Sequence, residues 1–195
     1  MLPTESIRSI LDAALQNGGD LAEVYLENTE TLNLTLDETR LERAIRGNDI
    51  GGGVRVFYGN TAAYAYTDDA TEEALQEAAR AAASAARGTS DPRVSVDLTR
   101  IESPVDSPIE RPFDSVSIRE KADILRKMDE AARKQSSHIV SVQATYTQTS
   151  RRVWIYNSDG IWAEDDREIL EIGAGVTARR GEVSQSQRTG MGGQI

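Results

Sequence analysis

The sequence predicts an α+β protein made of two related units. Each is a helix followed by an antiparallel β-meander, and the first is closed by a second helix. Three observations predict it. Helical apolar stripes over residues 4–16, 73–87 and 118–134 are separated by stretches in which every second residue is apolar. The connections between the alternating stretches are short, which suits antiparallel neighbours and leaves no room for parallel crossovers. Six positions recur at one offset of 122: Ile50, Gly51, Gly53, Val54, Gly59 and Thr67 fall on Ile172, Gly173, Gly175, Val176, Gly181 and Thr189.

In order, Ile7, Ile10, Leu11, Ala14 and Leu15 form one stripe, started by Pro3-Thr4 and stopped by Gly18-Gly19. Ala22, Val24 and Leu26, then Leu32, Leu34 and Leu36, alternate with polar residues. Turn chemistry at Asn28-Thr29, Asp37-Glu38 and Gly47-Asn48-Asp49, together with residues 41–45 and the hairpin that follows, predicts about five short strands. The hairpin is the centre of the pattern. Gly51-Gly52-Gly53 opens it, Val54, Val56 and Tyr58 share one face against Arg55 and Phe57, and Gly59-Asn60 turns the chain into residues 61–67. Asp69-Ala70-Thr71-Glu72 then caps an alanine-rich helix ended by Gly88.

Pro92, Pro104, Pro108 and Pro112 exclude helix from the next stretch, so the expected division is a first unit over 1–88, a linker over 89–113 and a second unit over 114–195. Residues 94–98 can add an edge strand. A capping box at Ser117 and Glu120 opens the third helix, with Ile118, Ala122, Leu125, Met128 and Ala132 inward. Strands are expected over 139–147, 153–156, 161–164, 167–179 and 183–189, with a turn at Asn157-Ser158-Asp159-Gly160. The second unit lacks a closing helix, and its glycine-rich end predicts a truncated piece of a longer protein.

Composition restricts the function. A net charge of −10 opposes a nucleic-acid phosphate surface. The absence of cysteine removes disulfides and thiolate metal sites. No apolar run approaches the roughly 18 residues of a membrane span, so a soluble, cytoplasmic protein is expected. His138, the single histidine, stands at a helix-to-strand junction and cannot make a hydrolytic zinc site by itself. The glycines at 51–53 lead into a strand rather than a helix, the wrong order for a phosphate loop. Asp68-Asp69 and Asp165-Asp166 sit where acids cap turns and helices. These residues therefore predict no catalytic and no metal site. The candidates that remain are peptide contacts: Arg55, Tyr64 and Tyr66 on the hairpin, and Arg179, beside Arg180 and near Arg188, as a carboxylate contact.

The stretch Gly51-Gly-Gly-Val-Arg-Val-Phe-Tyr-Gly-Asn-Thr-Ala-Ala-Tyr-Ala-Tyr-Thr67 resembles the signature near the start of TldD/PmbA proteins. Asp20-Leu-Ala-Glu-Val-Tyr-Leu-Glu27, Asn157-Ser-Asp-Gly160 and Gly190-Met-Gly-Gly193 fit the same pattern, so the likeness covers nearly the whole chain. The resemblance implies a zinc-dependent peptidase family, once named modulators of DNA gyrase, that acts on unfolded and precursor peptides. It also implies a His-Glu-x-x-x-His helix in a region beyond the one matched, so no catalytic or metal residue transfers to these positions. The expected function is the N-terminal portion of a TldD-like metallopeptidase. This portion would shape a substrate cavity and a homo- or heterodimer, with zinc held elsewhere. The alternative is a metal-free PmbA-like partner or peptide-binding scaffold.

Overall fold

Ile7, Ile10, Leu11, Ala14 and Leu15 are all buried on one side of the first helix, α1 (Thr4–Leu15), as their spacing requires. The structure is a computed structural model that describes residues 2–85, 95–101, 109 and 111–194. After α1 come β1 (Leu21–Asp37), β2 (Arg40–Tyr58), β3 (Thr61–Thr67), α2 (Glu72–Ala85) and the two-residue β4 (Thr99–Arg100). A single 3-10 turn at Phe113–Ser115 leads into α3 (Ile118–Lys134), β5 (Ile139–Asn157), β6 (Ile161–Arg180) and β7 (Val183–Gln194). The class is α+β. Among the described residues three α-helices accompany a sheet of order β3-β2-β1-β5-β6, with β7 antiparallel and β4 parallel on β6.

The strands are fewer and longer than the sequence predicts. Five short strands before α2 become three, because Asn28-Thr29 lies within β1 and Gly47-Asn48-Asp49 within β2. Likewise residues 139–147 and 153–156 form one strand, and residues 161–164 and 167–179 another. Polar residues inside a strand can satisfy themselves without bending it: Thr29 Oγ1 donates to Glu27 at 2.7 Å. The turn that does form carries positive φ at two non-glycine residues, Glu38 (45°) and Thr39 (68°). That is the backbone a two-residue hairpin requires.

Contacts divide the chain into two compact groups. The first comprises Met1–Thr29, Asp49–Asp106 and Arg152–Asp166; the second comprises Glu30–Asn48, Ser107–Arg151 and Arg167–Ile195. The long strands β1, β2, β5 and β6 each contribute a stretch to both groups, so contacts sort residues differently from a linear division at 88 and 114.

In the first group, α1 and α2 pack on each other and α2 packs on β3. The core joins Ile7, Ile10 and Leu11 to Val24, Val54, Val56, Leu75, Ala79 and Tyr156. Alanine at 78, 79, 82 and 83 of α2 permits the close approach, and Asn17 Nδ2 reaches the Ala83 carbonyl at 3.0 Å. Gly88, the expected stop of this helix, and Val94, the start of the expected edge strand, lie outside the described residues. The edge pairing falls later and is parallel, Thr99 and Arg100 opposite Ile161 and Trp162. Asp12 Oδ1 holds the approach to it, accepting from Ser95 N at 2.8 Å and Ser95 Oγ at 2.7 Å.

In the second group, Leu32, Leu34, Leu36, Leu125, Ala144 and Tyr146 form the core. The capping box is present, with Ser117 Oγ accepting from Glu120 N and the Glu120 carboxylate accepting from Ser117 N. Hydrogen bonds to Ser117 hold the Glu120 carboxyl below its usual range. The inward stripe differs from the predicted one. Ile118 is exposed, and Lys121 and Asp129 are buried with Ala122 and Leu125. Both charges find partners: Lys121 Nζ donates to the Phe113 carbonyl at 2.9 Å, and Arg133 Nε donates to Asp129 at 3.0 Å. Burial lowers the Lys121 pKa and raises that of Glu168, whose carboxylate accepts from Phe113 N at 3.0 Å. These groups serve the fold.

Candidate functional site

The alternation along β2 and β3 decides which side chains meet. Register sets Arg55 opposite Tyr64 and Gly53 opposite Tyr66, while Val54 and Val56 point into the helix-covered core. Arg55, Tyr64 and Tyr66 therefore share the other face. On β1 the same parity puts Glu23, Tyr25 and Glu27 there, since Ala22, Val24 and Leu26 are core. Tyr64 and Tyr66 are 59% and 79% exposed, high values for rings on the face of a sheet.

Glycine shapes this face. A Cβ on Gly53 would come within 2.7 Å of the Tyr64 ring carbons, so only glycine lets that ring lie across β2. Tyr64 and Tyr66 then stack with centroids 6.3 Å apart and planes 22° from parallel. Arg55 is fixed from both sides: Nη2 donates to Glu23 Oε2 at 2.8 Å, and its guanidinium carbon stands 4.9 Å from the Phe57 ring centroid. The Tyr25 hydroxyl donates to Glu27.

Two neighbouring hollows result. The first, about 450 Å³, is lined by Glu23, Val24, Tyr25, Gly53, Arg55, Tyr64 and Ile155. The second, about 340 Å³, is lined by residues that include Tyr25, Glu27, Asp49, Tyr64, Tyr66 and Asp68. Tyr25 and Tyr64 belong to both and form the divide between them. β3 ends the strand order, so its outer backbone groups border this face.

Three of the four sequence candidates, Arg55, Tyr64 and Tyr66, thus come together. Arg179 does not line either hollow. It is an exposed residue of β6, opposite Ser184, and its amide donates to the His138 carbonyl at 2.8 Å. Glu23, Tyr25, Glu27, Asp49 and Ile155 also line the hollows without being sequence candidates, and Asp68, which the sequence places as a cap, lines the second. The β1 residues were findable, because they occupy the odd positions opposite the apolar even ones. Ile155 was not, since nothing in the sequence pairs β5 with β1.

Among the described residues, no three His, Cys, Asp or Glu side chains converge in a group suited to a metal ion. The described side chains do not fit the zinc that the resemblance implies. No described helix is long and apolar enough to cross a membrane.

Comparison with known proteins is consistent with this architecture. A family model described as PmbA/TldA metallopeptidase domain 1 matches residues 22–86, and one described as the PmbA/TldA metallopeptidase central domain matches residues 111–195. A Haemophilus influenzae protein named metalloprotease TldD homolog is 23% identical over 195 residues, all of this chain and 40% of the relative. A Bacteroides thetaiotaomicron crystal structure described as a modulator of DNA gyrase aligns with a TM-score of 0.74 at 19% identity, over 96% of this chain and 44% of that one. TldE from Thermococcus kodakarensis aligns with a TM-score of 0.73 at 16% identity, over 96% and 42%. The chain spans about 40% of the length of the curated relative it matches.

Proposed function

The chain belongs to the PmbA/TldD metallopeptidase family, and on that premise we propose that it is part of a TldD-like zinc-dependent peptidase acting on unfolded or precursor peptides. One observation carries the reading. An uncovered sheet face offers tyrosine rings and a fixed arginine beside an edge strand. An extended peptide can add its backbone to such an edge and place alternate side chains on such a face. A folded chain has no free strand to offer, which would restrict the substrate to unfolded segments.

In this proposal the chain walls a substrate cavity and contributes to a homo- or heterodimer in the cytoplasm. The zinc ion is held by residues outside those described. The test is a Tyr64→Ala/Tyr66→Ala variant of the full gene product, assayed on an unfolded peptide. Removing two exposed rings should leave the thermal melt nearly unchanged. KM should rise about tenfold, the scale of one to two lost aromatic contacts. Wild-type KM with wild-type melting would contradict the proposal.

The second reading is a non-catalytic PmbA-like partner, since the matching family models are described for PmbA and TldA members together. Zinc content and peptide cleavage of the purified full gene product separate the two. Stoichiometric zinc with cleavage supports the peptidase; neither, with restored activity on adding a second family member, supports the partner.

A further inference from the structure

The two hollows differ in chemistry although they share two tyrosines. The first holds one cation, Arg55, already paired with Glu23. The second is lined by three carboxylates, Glu27, Asp49 and Asp68, and three phenol rings, Tyr25, Tyr64 and Tyr66. No lysine or arginine lines it. Asp49 and Asp68 are exposed, and so stay ready to meet a charge arriving from solvent.

Such a surface selects its occupant by charge. A fourth carboxylate would be repelled by the three already present, and a purely apolar side chain would desolvate them without compensation. A lysine or arginine side chain satisfies both sets of groups at once. Its methylene stem lies along the rings, and its head meets carboxylate oxygens and aromatic faces. The site also lies where an extended chain on the β3 edge would project a side chain, because Tyr66 and Thr67 come from β3 itself.

We propose that this hollow is a subsite for the cationic side chain, lysine or arginine, of an extended peptide. The inference rests on the peptide-binding function proposed above and adds a preference to it. The neighbouring hollow shares Tyr25 and Tyr64 with it and has an apolar wall in Ile155.

The experiment measures binding of fluorescein-labelled, otherwise neutral Gly/Ser/Val decapeptides to the full gene product by fluorescence polarisation. The central residue is arginine or its neutral isostere citrulline, and in a second pair lysine or norleucine. The arginine and lysine peptides should bind about tenfold more tightly than their neutral counterparts. Asp49→Asn/Asp68→Asn should reduce that ratio to about twofold or less. Tyr66→Phe should retain the preference and Tyr66→Ala should lose most of it. Glu130→Gln, which removes an acid on the exposed side of α3, should change nothing.

Equal affinity for arginine and citrulline peptides, or a preference that survives Asp49→Asn/Asp68→Asn, overturns the subsite and leaves peptide binding standing. Failure of every peptide to bind overturns peptide binding, and the subsite with it. Circular dichroism of each variant verifies that the fold is kept, which the exposure of both aspartates favours.

Discussion

The β2–β3 and β6–β7 hairpins have the same backbone and opposite surroundings. Gly52 pairs with Thr67 and Tyr58 with Thr61; adding 122 gives Ala174 with Thr189 and Arg180 with Val183, and both pairs are present. Gly59 and Gly181 both turn with positive φ, 54° and 61°, in open space. A Cβ on Gly51 would meet the Thr67 carbonyl at 2.8 Å, and one on Gly173 would meet the Thr189 carbonyl at 3.3 Å.

Yet β3 is packed under α2, whereas every residue of β7 is exposed. Where β3 places Tyr64 and Tyr66, β7 places Ser186 and Arg188, and its hollow of about 410 Å³ is lined by Thr145, Thr147, Glu171, Gly173 and Met191 among others. Hydrogen-bond register therefore does not decide what a hairpin does. The helix on one face and the rings on the other do.

The two hairpins differ most at one matched pair of positions, Gly52 and Ala174. A methyl on Gly52 would stand 2.6 Å from Leu26 Cδ2 and 2.7 Å from the Tyr25 carbonyl oxygen. Neither neighbour has room, because one is core and the other is backbone. Gly52→Ala should cost about 3 kcal/mol in urea unfolding, the upper range for overpacking. The counterpart already carries the methyl, and Ala174→Gly should cost no more than about 1 kcal/mol, mostly backbone entropy. Equal losses would show that the two hairpins are equally enclosed.

A smaller effect sharpens the contrast between the core and the open face. Burial pushes the Tyr156 phenol up to about 12, with Glu164 adding to the shift. Burial raises Tyr146 of the second group as well. With the folded pKa above the unfolded value of 10.0, the folded chain keeps a proton that the unfolded chain has released. Tyr156 thus contributes stability below pH 10 that is lost as the pH rises towards 12. Unfolding free energy should fall across that window, and Tyr156→Phe should flatten the fall.

The sequence made the periodic elements legible. The α1 stripe, the α2 alanines, the Ser117–Glu120 capping box and the Gly59-Asn60 and Asn157–Gly160 turns all stand where spacing and turn chemistry place them. Strand ends were not legible at Asn28-Thr29 or at residues 47–49. Turn-prone residues bend a chain only where no neighbouring strand holds them extended, and strand pairing is non-local. Of the site, Arg55, Tyr64 and Tyr66 could be read from one hairpin, where register follows from the turn. The face of β1 that carries Glu23, Tyr25 and Glu27 could be read from its alternation, but its place beside the hairpin and the contribution of β5 could not, because strand order is absent from local periodicity. Lys121 and Asp129 defeated the helical stripe by finding partners within the fold.

In the proposed function an extended peptide docks along β3 and over the tyrosine face. Amide hydrogen exchange of the full gene product, with and without a saturating unfolded peptide, tests it residue by residue. The β3 amides pointing away from β2 should slow by about tenfold or more on peptide addition, with those of β7 unchanged. Peptide binding that leaves the amides of Thr61–Thr67 exchanging at their free rate would contradict it.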